Sequence, residues 1–412
     1  MRILMLSPYP PYPLRSGGAL RIYHVARGLA EHHEVTLLSF APHAAAVAAL
    51  APLRAWCHVV TVPSPAGRSV ARRALTTLTS SQPDMALRAQ SHAYSEALSR
   101  LVASTPFALV LAASIEMAGY LLPLRGLGPR LVLDQFNAEY LLQRRAALSD
   151  LALALRLRPR ALVGGLYSLL QWRKLARYER MLLAQLDTIT VVSEQDRNAL
   201  ARLHPAAAQR LVVVPNGVDT SLVRPGAVRG DLGGATMVFT GTLDYRPNID
   251  ALRWFTAEVL PLIRARAPTA RLLIVGRAAG AAIHALASEA VEVIGEVAAV
   301  APYIDGAAVY VVPMRIGGGS RLKLLEALAM EAPIVTTPMG AEGIVGLRDG
   351  THLLMAERPK DFANAVLRLI ADPTLGQRLG SAGRAHVVAN YDWRIITGTS
   401  GAELGHRLLK AQ

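Results

Sequence analysis

The sequence predicts an α/β protein made of two doubly wound, Rossmann-like domains that face each other across a central cleft. A chain of 412 residues is too long for one hydrophobic core and suits two domains of roughly 200 residues each. Apolar runs of strand length alternate with segments of helical periodicity along the whole chain. This alternation restarts after RPGAVRGDLGG at residues 224–234, whose glycine and proline content is typical of a linker.

The first domain is predicted over residues 1–220, where it opens with a strand, a loop rich in proline and a helix. Its strands are expected at residues 2–7, 34–40, 58–62, 108–112, 130–133, 187–193 and 211–214. Its helices are expected at residues 19–33, near 169–185, and over EQDRNALARL at 194–203. Strands that alternate with helices in this way indicate a parallel sheet covered on both faces.

The second domain is predicted over residues 235–390 with the same alternation. Its strands are expected at residues 237–241, 270–276, 291–294, 309–313, 334–337 and 353–356. Its helices are expected at residues 248–265, 278–290 and 359–372, with a short turn at 303–307. A C-terminal helix at residues 391–412 is expected to pack back toward the first domain.

Composition favours a large folded core in a reducing compartment. Hydrophobic residues make up 52% of the chain and charged residues 18%, which argues against disorder. Cys57 is the one cysteine, which excludes an intrachain disulfide and a cysteine-rich zinc site. We expect no signal peptide in MRILMLSPYP, and the apolar stretch at residues 161–170 is too short to span a bilayer. The sequence therefore predicts a cytoplasmic protein.

Positive charge is concentrated in the first half of the chain. Residues 1–215 hold 24 Lys and Arg against 12 Asp and Glu, whereas residues 216–412 hold 20 against 18. Cations alternate with large apolar residues over residues 156–183, which fits a peripheral contact with an anionic membrane surface or with an anionic acceptor. A solvated helix packed on its own domain is the alternative. Nucleic acid is not an expected partner, because aromatic residues total only 5% and no binding module is recognisable.

The most informative segment is VYVVPMRIGGGSRLKLLEALAMEAPIVTTPMGAEG at residues 309–343. A strand that ends in GGGS at 317–320 and opens a helix directs free N–H groups and a positive dipole end at one point. Arg321 and Lys323 add two cations there, where capping rules would place acids, so an anion is needed to explain them. A diphosphate joined to a ribose fits this arrangement, with Glu326 on the sugar hydroxyls. A plain glycine turn is the alternative.

Four loops of the second domain follow predicted strands. They are Gly241–Thr242, Gly276–Arg277, Gly317–Ser320 and Gly340–Gly343. Because open α/β sheets bind ligands at the carboxyl ends of their strands, these loops are expected to line one site.

Several motifs, taken in order, make the chain resemble the retaining glycosyltransferases of bacterial group 1, family 4, which have two Rossmann domains in the GT-B architecture. They are SGG at 16–18, VVSEQDRNAL at 191–200, VPNGVD at 214–219, FTGTLDYRPNIDAL at 239–252, LLIVGR at 272–277 and GGGSRLKLLEALA at 317–329. The resemblance covers nearly the whole chain.

The resemblance implies an N-terminal acceptor domain and a C-terminal domain that binds the nucleotide sugar. The implied donor-binding residues are Gly17, Gly18, Gly241, Thr242, Arg246, Gly276, Arg277, Gly318, Gly319, Ser320, Arg321, Lys323, Glu326, Glu342 and Gly343. The candidate catalytic residues are Asp134, Asn137 and Glu139, which would orient the acceptor, with Arg321 and Lys323 on the leaving diphosphate.

The chain departs from the family pattern at three positions. Gly318 stands where the family commonly has a glutamate on the donor sugar, Thr242 where it has an arginine, and Phe136 where it has a histidine. Arg321, Lys323 and Arg246 are candidates to replace the missing cation.

The function that the resemblance implies is transfer of a hexose from a UDP- or GDP-sugar to a lipid-linked or polysaccharide acceptor with retention, in cell-surface or exopolysaccharide synthesis. No D-x-D pair follows a strand, so we expect no metal and no cofactor beyond the nucleotide-sugar co-substrate. Two alternatives remain open: a nucleotide-sugar epimerase of the same architecture, and an inactive protein that binds a nucleotide sugar or a membrane.

Overall fold

A computed structural model describes residues 1–14, 16–154, 160–226, 232–317, 321–398, 404–406 and 408, without the side chains of residues 149, 150, 152–154 and 160–163. Contacts divide the chain into two compact units. The N-terminal unit comprises Met1–Pro215 together with Arg394–Gln412, and the C-terminal unit comprises Asn216–Trp393.

The N-terminal unit contains a parallel sheet of seven strands. They are β1 (Arg2–Ser7), β2 (Glu34–Ala41), β3 (His58–Pro63), β4 (Leu109–Ala113), β5 (Arg130–Gln135), β6 (Thr188–Val191) and β7 (Leu211–Val213). Their order is β3-β2-β1-β4-β5-β6-β7. The order reverses between β1 and β4, and crevices at such reversals are where doubly wound sheets bind ligands.

The C-terminal unit contains a parallel sheet of six strands. They are β8 (Thr236–Thr240), β9 (Arg271–Val275), β10 (Val291–Gly295), β11 (Val309–Val312), β12 (Ile334–Thr336) and β13 (Leu354–Met355). Their order is β10-β9-β8-β11-β12-β13, so this sheet reverses between β8 and β11. The two doubly wound sheets confirm the predicted fold class.

Helices connect the strands of both sheets. They are α1 (Gly17–Ala30), α2 (Ala44–Ala49), α3 (Val70–Thr79), α4 (Asp84–Arg88), α5 (His92–Ser104), α6 (Glu139–Ala154), α7 (Arg160–Gln185), α8 (Glu194–Leu203), α9 (Arg246–Trp254), α10 (Leu260–Arg264), α11 (Ala281–His284), α12 (Ala301–Asp305), α13 (Leu322–Ala329), α14 (Pro338–Ala341), α15 (Pro359–Ala371), α16 (Pro373–Asn390) and α17 (Trp393–Ile396). Short 3-10 turns lie at Ala51–Ala55, Ile115–Tyr120, Leu122–Leu124 and Pro205–Arg210.

The central strands form the core of each unit. Every residue of β4, β8 and β11 is buried, as expected for strands with helices on both faces. Parallel strands have their carboxyl ends at one edge, so the loops after β8 and β11 meet there.

Two predicted helices of the C-terminal unit differ from the observed ones. The helix predicted at 248–265 is observed as α9 and α10 joined by a π-helical turn at Phe255–Val259. The helix predicted at 278–290 is reduced to α11, in which only Ile283 is buried. A run of alanines offers too little apolar surface to hold a longer helix against the sheet.

Candidate functional site

The candidate donor site lies at the reversal of the C-terminal sheet. Thr240 ends β8 and Val312 ends β11, and both strands lead into glycine loops. The segment after β11 then begins α13, which carries Lys323 in its first turn and Glu326 one turn later. The structure thus places Gly241–Thr242 and the first turn of α13 where a doubly wound sheet binds ligands.

The Lys323 side chain is held by contacts with three residues, Asn248, Phe239 and Gly241. Its Nζ donates a hydrogen bond to Asn248 Oδ1 at 2.8 Å and lies 3.8 Å from the centre of the Phe239 ring. A Cβ atom on Gly241 would lie only 2.7 Å from Nζ, so the glycine leaves the space that the ammonium group occupies. The amine is therefore held between an amide oxygen and an aromatic face.

Burial shifts the protonation of both charged groups of α13 toward their neutral forms. It lowers the pKa of Lys323 well below its usual range, Arg321 lowers it further, and Glu326 opposes the shift. Burial raises the pKa of Glu326 to about 7, although Lys323 opposes this shift too. An entering diphosphate would favour the charged lysine, so this part of the site is organised to gain positive charge with an anion.

Arg321 forms the N-terminal boundary of α13. It is the N-cap residue, is only 8% exposed, and its own side chain makes no capping hydrogen bond to the first turn of the helix. Its guanidinium lies against the Cα of Gly317, where an added Cβ would be 2.2 Å from Nη2. The same Nη2 donates a long hydrogen bond of 3.5 Å to the carbonyl of Met339. A cation is therefore packed at the end of the helix dipole that favours anions.

A further predicted loop, Gly276–Arg277, packs directly against Gly241–Thr242. Gly241 N donates to Val275 O at 3.0 Å, and Leu243 N donates to Arg277 O at 2.8 Å. A Cβ atom on Gly276 would lie 1.7 Å from Gly241 O, a distance that no side chain tolerates. The loops at 241–242 and 276–277 therefore form one continuous wall at the ends of β8 and β9.

Asn248 joins this wall to α13 and was not predicted as a site residue. Its Nδ2 donates to Thr242 O at 2.8 Å while its Oδ1 accepts from Lys323. It is 4% exposed and lies in the first turn of α9, which Arg246 begins. The residue lies inside the quoted motif FTGTLDYRPNIDAL, but a contact across 75 positions cannot be derived from spacing.

Tyr310 and Thr240 form a second contact that was not predicted. Their hydroxyl groups are 2.6 Å apart, and both side chains are buried, Thr240 at the end of β8 and Tyr310 near the start of β11. Burial, with a contribution from Glu326, raises the pKa of the Tyr310 phenol. This neutral pair of hydroxyl groups links β8 to β11 below the loops that follow these strands.

Of the remaining predicted donor residues, Glu342 and Gly343 lie just after α14. Thr337 caps the short α14 through a hydrogen bond from Gly340 N of 2.9 Å, and Glu342 and Gly343 follow that helix. Gly343 has a φ of +88°, a conformation that favours glycine. Gly318, Gly319 and Ser320 lie outside the described residues.

In the N-terminal unit, Gly17 and Gly18 open α1. Ser16 caps this helix by accepting a hydrogen bond from Ala19 N at 3.2 Å. The Tyr9 hydroxyl covers Gly18, where an added Cβ would lie 1.8 Å from it, and the Phe136 ring would be 3.2 Å away. The predicted glycines therefore lie at the reversal of the first sheet, beneath a phenol.

Asp134 has its partners within the fold. Arg21 donates two hydrogen bonds to its carboxylate, from Nε at 2.9 Å and from Nη2 at 2.6 Å. Both side chains are 2% exposed, and Arg21 also donates to Pro215 O at 3.3 Å. A buried, bidentate pair of this kind fixes β5 to α1, which gives Asp134 a structural contact. Its predicted role toward an acceptor stays a prediction.

Asn137 and Glu139 lie together just after β5. Asn137 Nδ2 donates to Glu139 Oε1 at 3.0 Å. Burial raises the pKa of Glu139 to about 7, the Asn137 hydrogen bond opposes the shift, and the Glu116 and Asp196 carboxylates add to it. A carboxyl group with a pKa near 7 is suited to exchange protons at neutral pH.

Glu179 was not predicted and organises this part of the site. Its carboxylate accepts hydrogen bonds from the backbone N–H groups of Glu139 and Tyr140, each at 2.9 Å, and from Gln135 Nε2. It thereby caps α6 from within α7 and satisfies two N–H groups of that helix's first turn. Its position toward the C-terminal end of α7, 40 residues after Glu139, gives no sequence signal for this role.

The described residues contain neither a metal-binding cluster nor a helix that could cross a membrane. No group of three His, Cys, Asp or Glu side chains there is arranged to hold a metal ion. No helix within the same ranges has the length and apolar character needed to cross a bilayer.

Comparison with known proteins identifies the family. The model of Glycosyltransferase Family 4 matches residues 15–222, about half of the chain, and that of Glycosyl transferases group 1 matches residues 234–372. The chain is 28% identical over 237 residues to a D-inositol 3-phosphate glycosyltransferase of Segniliparus rotundus, covering 52% of this chain and 51% of that protein. It is 30% identical over 232 residues to a GDP-mannose-dependent alpha-(1-6)-phosphatidylinositol monomannoside mannosyltransferase of Mycobacterium tuberculosis, covering 50% and 58%. The chain thus spans about half the length of the curated relatives it matches.

Similarity in structure extends over the full chain. A sucrose-phosphate synthase from Thermosynechococcus elongatus superposes with a TM-score of 0.71 at 18% identity, covering 100% of both chains. This likeness shows the fold, and the family models match both units. The chain therefore belongs to glycosyltransferase family 4, within the group 1 glycosyltransferases, and has the GT-B fold.

Proposed function

We propose that this glycosyltransferase moves a hexose from a UDP- or GDP-sugar to a lipid-linked or polysaccharide acceptor, with retention and without a metal or cofactor. Its place would be the cytoplasmic face of the plasma membrane, in cell-surface or exopolysaccharide synthesis. The observation that carries the donor half is the pair of cations at the start of α13, Arg321 and Lys323, with Glu326 one turn away. A relative whose name states dependence on GDP-mannose supports a nucleotide-sugar donor.

The proposed chemistry uses fixed positive potential on the leaving group. Cleavage of the anomeric C–O bond leaves its electron pair on the nucleoside diphosphate, whose charge grows in the transition state. Lys323, Arg321 and the N–H groups of the first turn of α13 would stabilise that charge without rearrangement. The acceptor oxygen would attack the same face of the sugar and give its proton to the departing phosphate, so every bond and charge balances.

Glu326 would bind the ribose of the nucleotide. A carboxylate one turn along α13 could accept hydrogen bonds from the two hydroxyl groups of a ribose. Burial raises the pKa of Glu326 to about 7, so such donors would favour its ionised form. Glu139 and Asn137, at the end of β5, would orient the acceptor in the N-terminal unit.

The direct test measures release of UDP or GDP from UDP- and GDP-sugars, with and without a polyprenyl-linked or glycan acceptor. The proposal expects release that requires both donor and acceptor. Release without acceptor, together with an isomerised sugar, would indicate an epimerase instead. Binding of nucleotide with no turnover under any pairing would indicate an inactive binding protein.

A further inference from the structure

Helix α3 (Val70–Thr79) turns its apolar side chains outward. Val70 is 82% exposed, Leu75 61% and Leu78 79%, and Ala71 and Ala74 between them are also exposed. These five residues occupy positions i, i+1, i+4, i+5 and i+8, which form one face of an α-helix. A surface helix of a globular protein normally buries that face, so the polarity of α3 is inverted.

Hydrogen bonds on the opposite face hold α3 in this orientation. Thr76 Oγ1 accepts from Arg68 Nη1 at 3.2 Å, and Arg73 Nη2 reaches Asp84 Oδ2 at 3.5 Å. The Thr77 carbonyl accepts from Lys174 Nζ on α7. Rotating the helix to bury its leucines would break these polar contacts, so the outward apolar face belongs to the folded structure.

The charge around this apolar face is positive. On α3 itself Arg72 and Arg73 are exposed, and residues 70–83 contain no acidic residue. Asp84 lies within ion-pair distance of three arginines, so the cluster keeps a positive excess. On the neighbouring α7, Arg173 and Arg177 are exposed, and Leu166 is 54% exposed.

We propose that the outward face of α3 docks on the surface of an anionic phospholipid bilayer. Its exposed side chains are aliphatic and would enter the boundary between headgroups and acyl chains, as amphipathic interfacial helices do. The arginines around it match lipid phosphates in charge. The inference rests on the membrane location in the proposed function and assigns the surface that makes the contact. Docking is measured without substrate, so its failure leaves the proposed transfer reaction standing.

The experiment is flotation of the full chain with vesicles of phosphatidylcholine, alone or with about one third phosphatidylglycerol. The double variant Leu75→Ser, Leu78→Ser removes apolar surface that is already exposed and should fold normally. Leu127→Ser is its matched control, because Leu127 is 63% exposed in the same unit but lies outside α3. We expect binding to the anionic vesicles, weakened by salt, and at least about tenfold weaker for the double variant, with the control unchanged.

Hydrogen exchange of residues 70–79 in the unmodified chain gives a second readout that needs no variant. Slower exchange on anionic vesicles is expected. Equal binding to neutral and anionic vesicles, no binding, or full binding by the double variant would overturn the proposal. A dimer in lipid-free solution that the double variant dissociates would also overturn it and identify the face as a contact between two copies.

Discussion

Replacement of Lys323 by methionine is expected to separate stability from function. Methionine fills similar volume beside Phe239 but offers no charge to a phosphate and no donor to Asn248. Since a hydrogen bond to a charged group contributes about 1.5–3 kcal/mol, the Kd for UDP or GDP should rise roughly 10- to 150-fold.

Stability of the ligand-free variant should move in the opposite direction. The pKa of Lys323 is lowered in the fold, so the unfolded chain holds more protons there at neutral pH, and the fold gains stability as the pH rises toward the lysine's ordinary pKa. Removing the buried amine removes that penalty, so Lys323→Met should melt at the same temperature as the unmodified chain or higher.

Isothermal titration calorimetry with UDP and GDP, alongside thermal melting, measures both effects. Lys360→Met is the matched control, because Lys360 is an exposed lysine of the same unit at the start of α15. An unchanged Kd in Lys323→Met would refute the phosphate role. Weakened binding together with a lowered melting temperature would show that the loss is structural.

Three further outcomes follow from the same contacts. Glu326→Gln should weaken nucleotide binding roughly tenfold at pH 8, because ribose hydroxyls bind the ionised carboxylate more strongly than an amide. It should also remove the rise in affinity that the unmodified chain shows as the pH increases through about 7. Calorimetry that finds the same pH profile in both proteins would contradict this. Glu139→Gln should stabilise the fold by roughly 3 kcal/mol at pH 8. Folding raises the pKa of this carboxyl from 4.5 to about 7, so the free energy of unfolding of the unmodified chain falls as the pH rises across that window. Urea denaturation from pH 4 to 8 that gives parallel stability curves for the variant and the unmodified chain would refute the shift. Gly276→Ala should destabilise by roughly 1–3 kcal/mol or more through its clash with the Gly241 carbonyl. Gly67→Ala, with nothing within 4 Å of its Cβ, should be neutral in the same assay.

Much of the fold could be predicted because its strands are short apolar runs between breakers. The first strand was expected at residues 2–7 and is observed at Arg2–Ser7. Helix α3 was missed because its apolar residues face outward, so a tertiary network rather than a buried face holds it. The prediction of a helix at 278–290 was too long, because alanines bury little apolar surface and only Ala281–His284 is helical.

The candidate site was predictable only where local sequence carries the chemistry. A glycine loop followed by cations indicates an anion site, and the structure places Lys323 and Glu326 on one short helix at the sheet reversal. Asn248 and Glu179 act through contacts across 75 and 40 positions, which no spacing rule supplies. Asp134 shows the converse, because a polar residue at the end of a strand can serve a buried ion pair as well as a substrate.

A crystal structure of the chain with UDP or GDP tests the central claim most directly. The account predicts a diphosphate oxygen within hydrogen-bond distance of Lys323 Nζ, at the first turn of α13, with the ribose hydroxyls on Glu326. The account would be contradicted by a nucleotide whose diphosphate lies away from α13, while Lys323 Nζ keeps its hydrogen bond to Asn248 and contacts no phosphate oxygen.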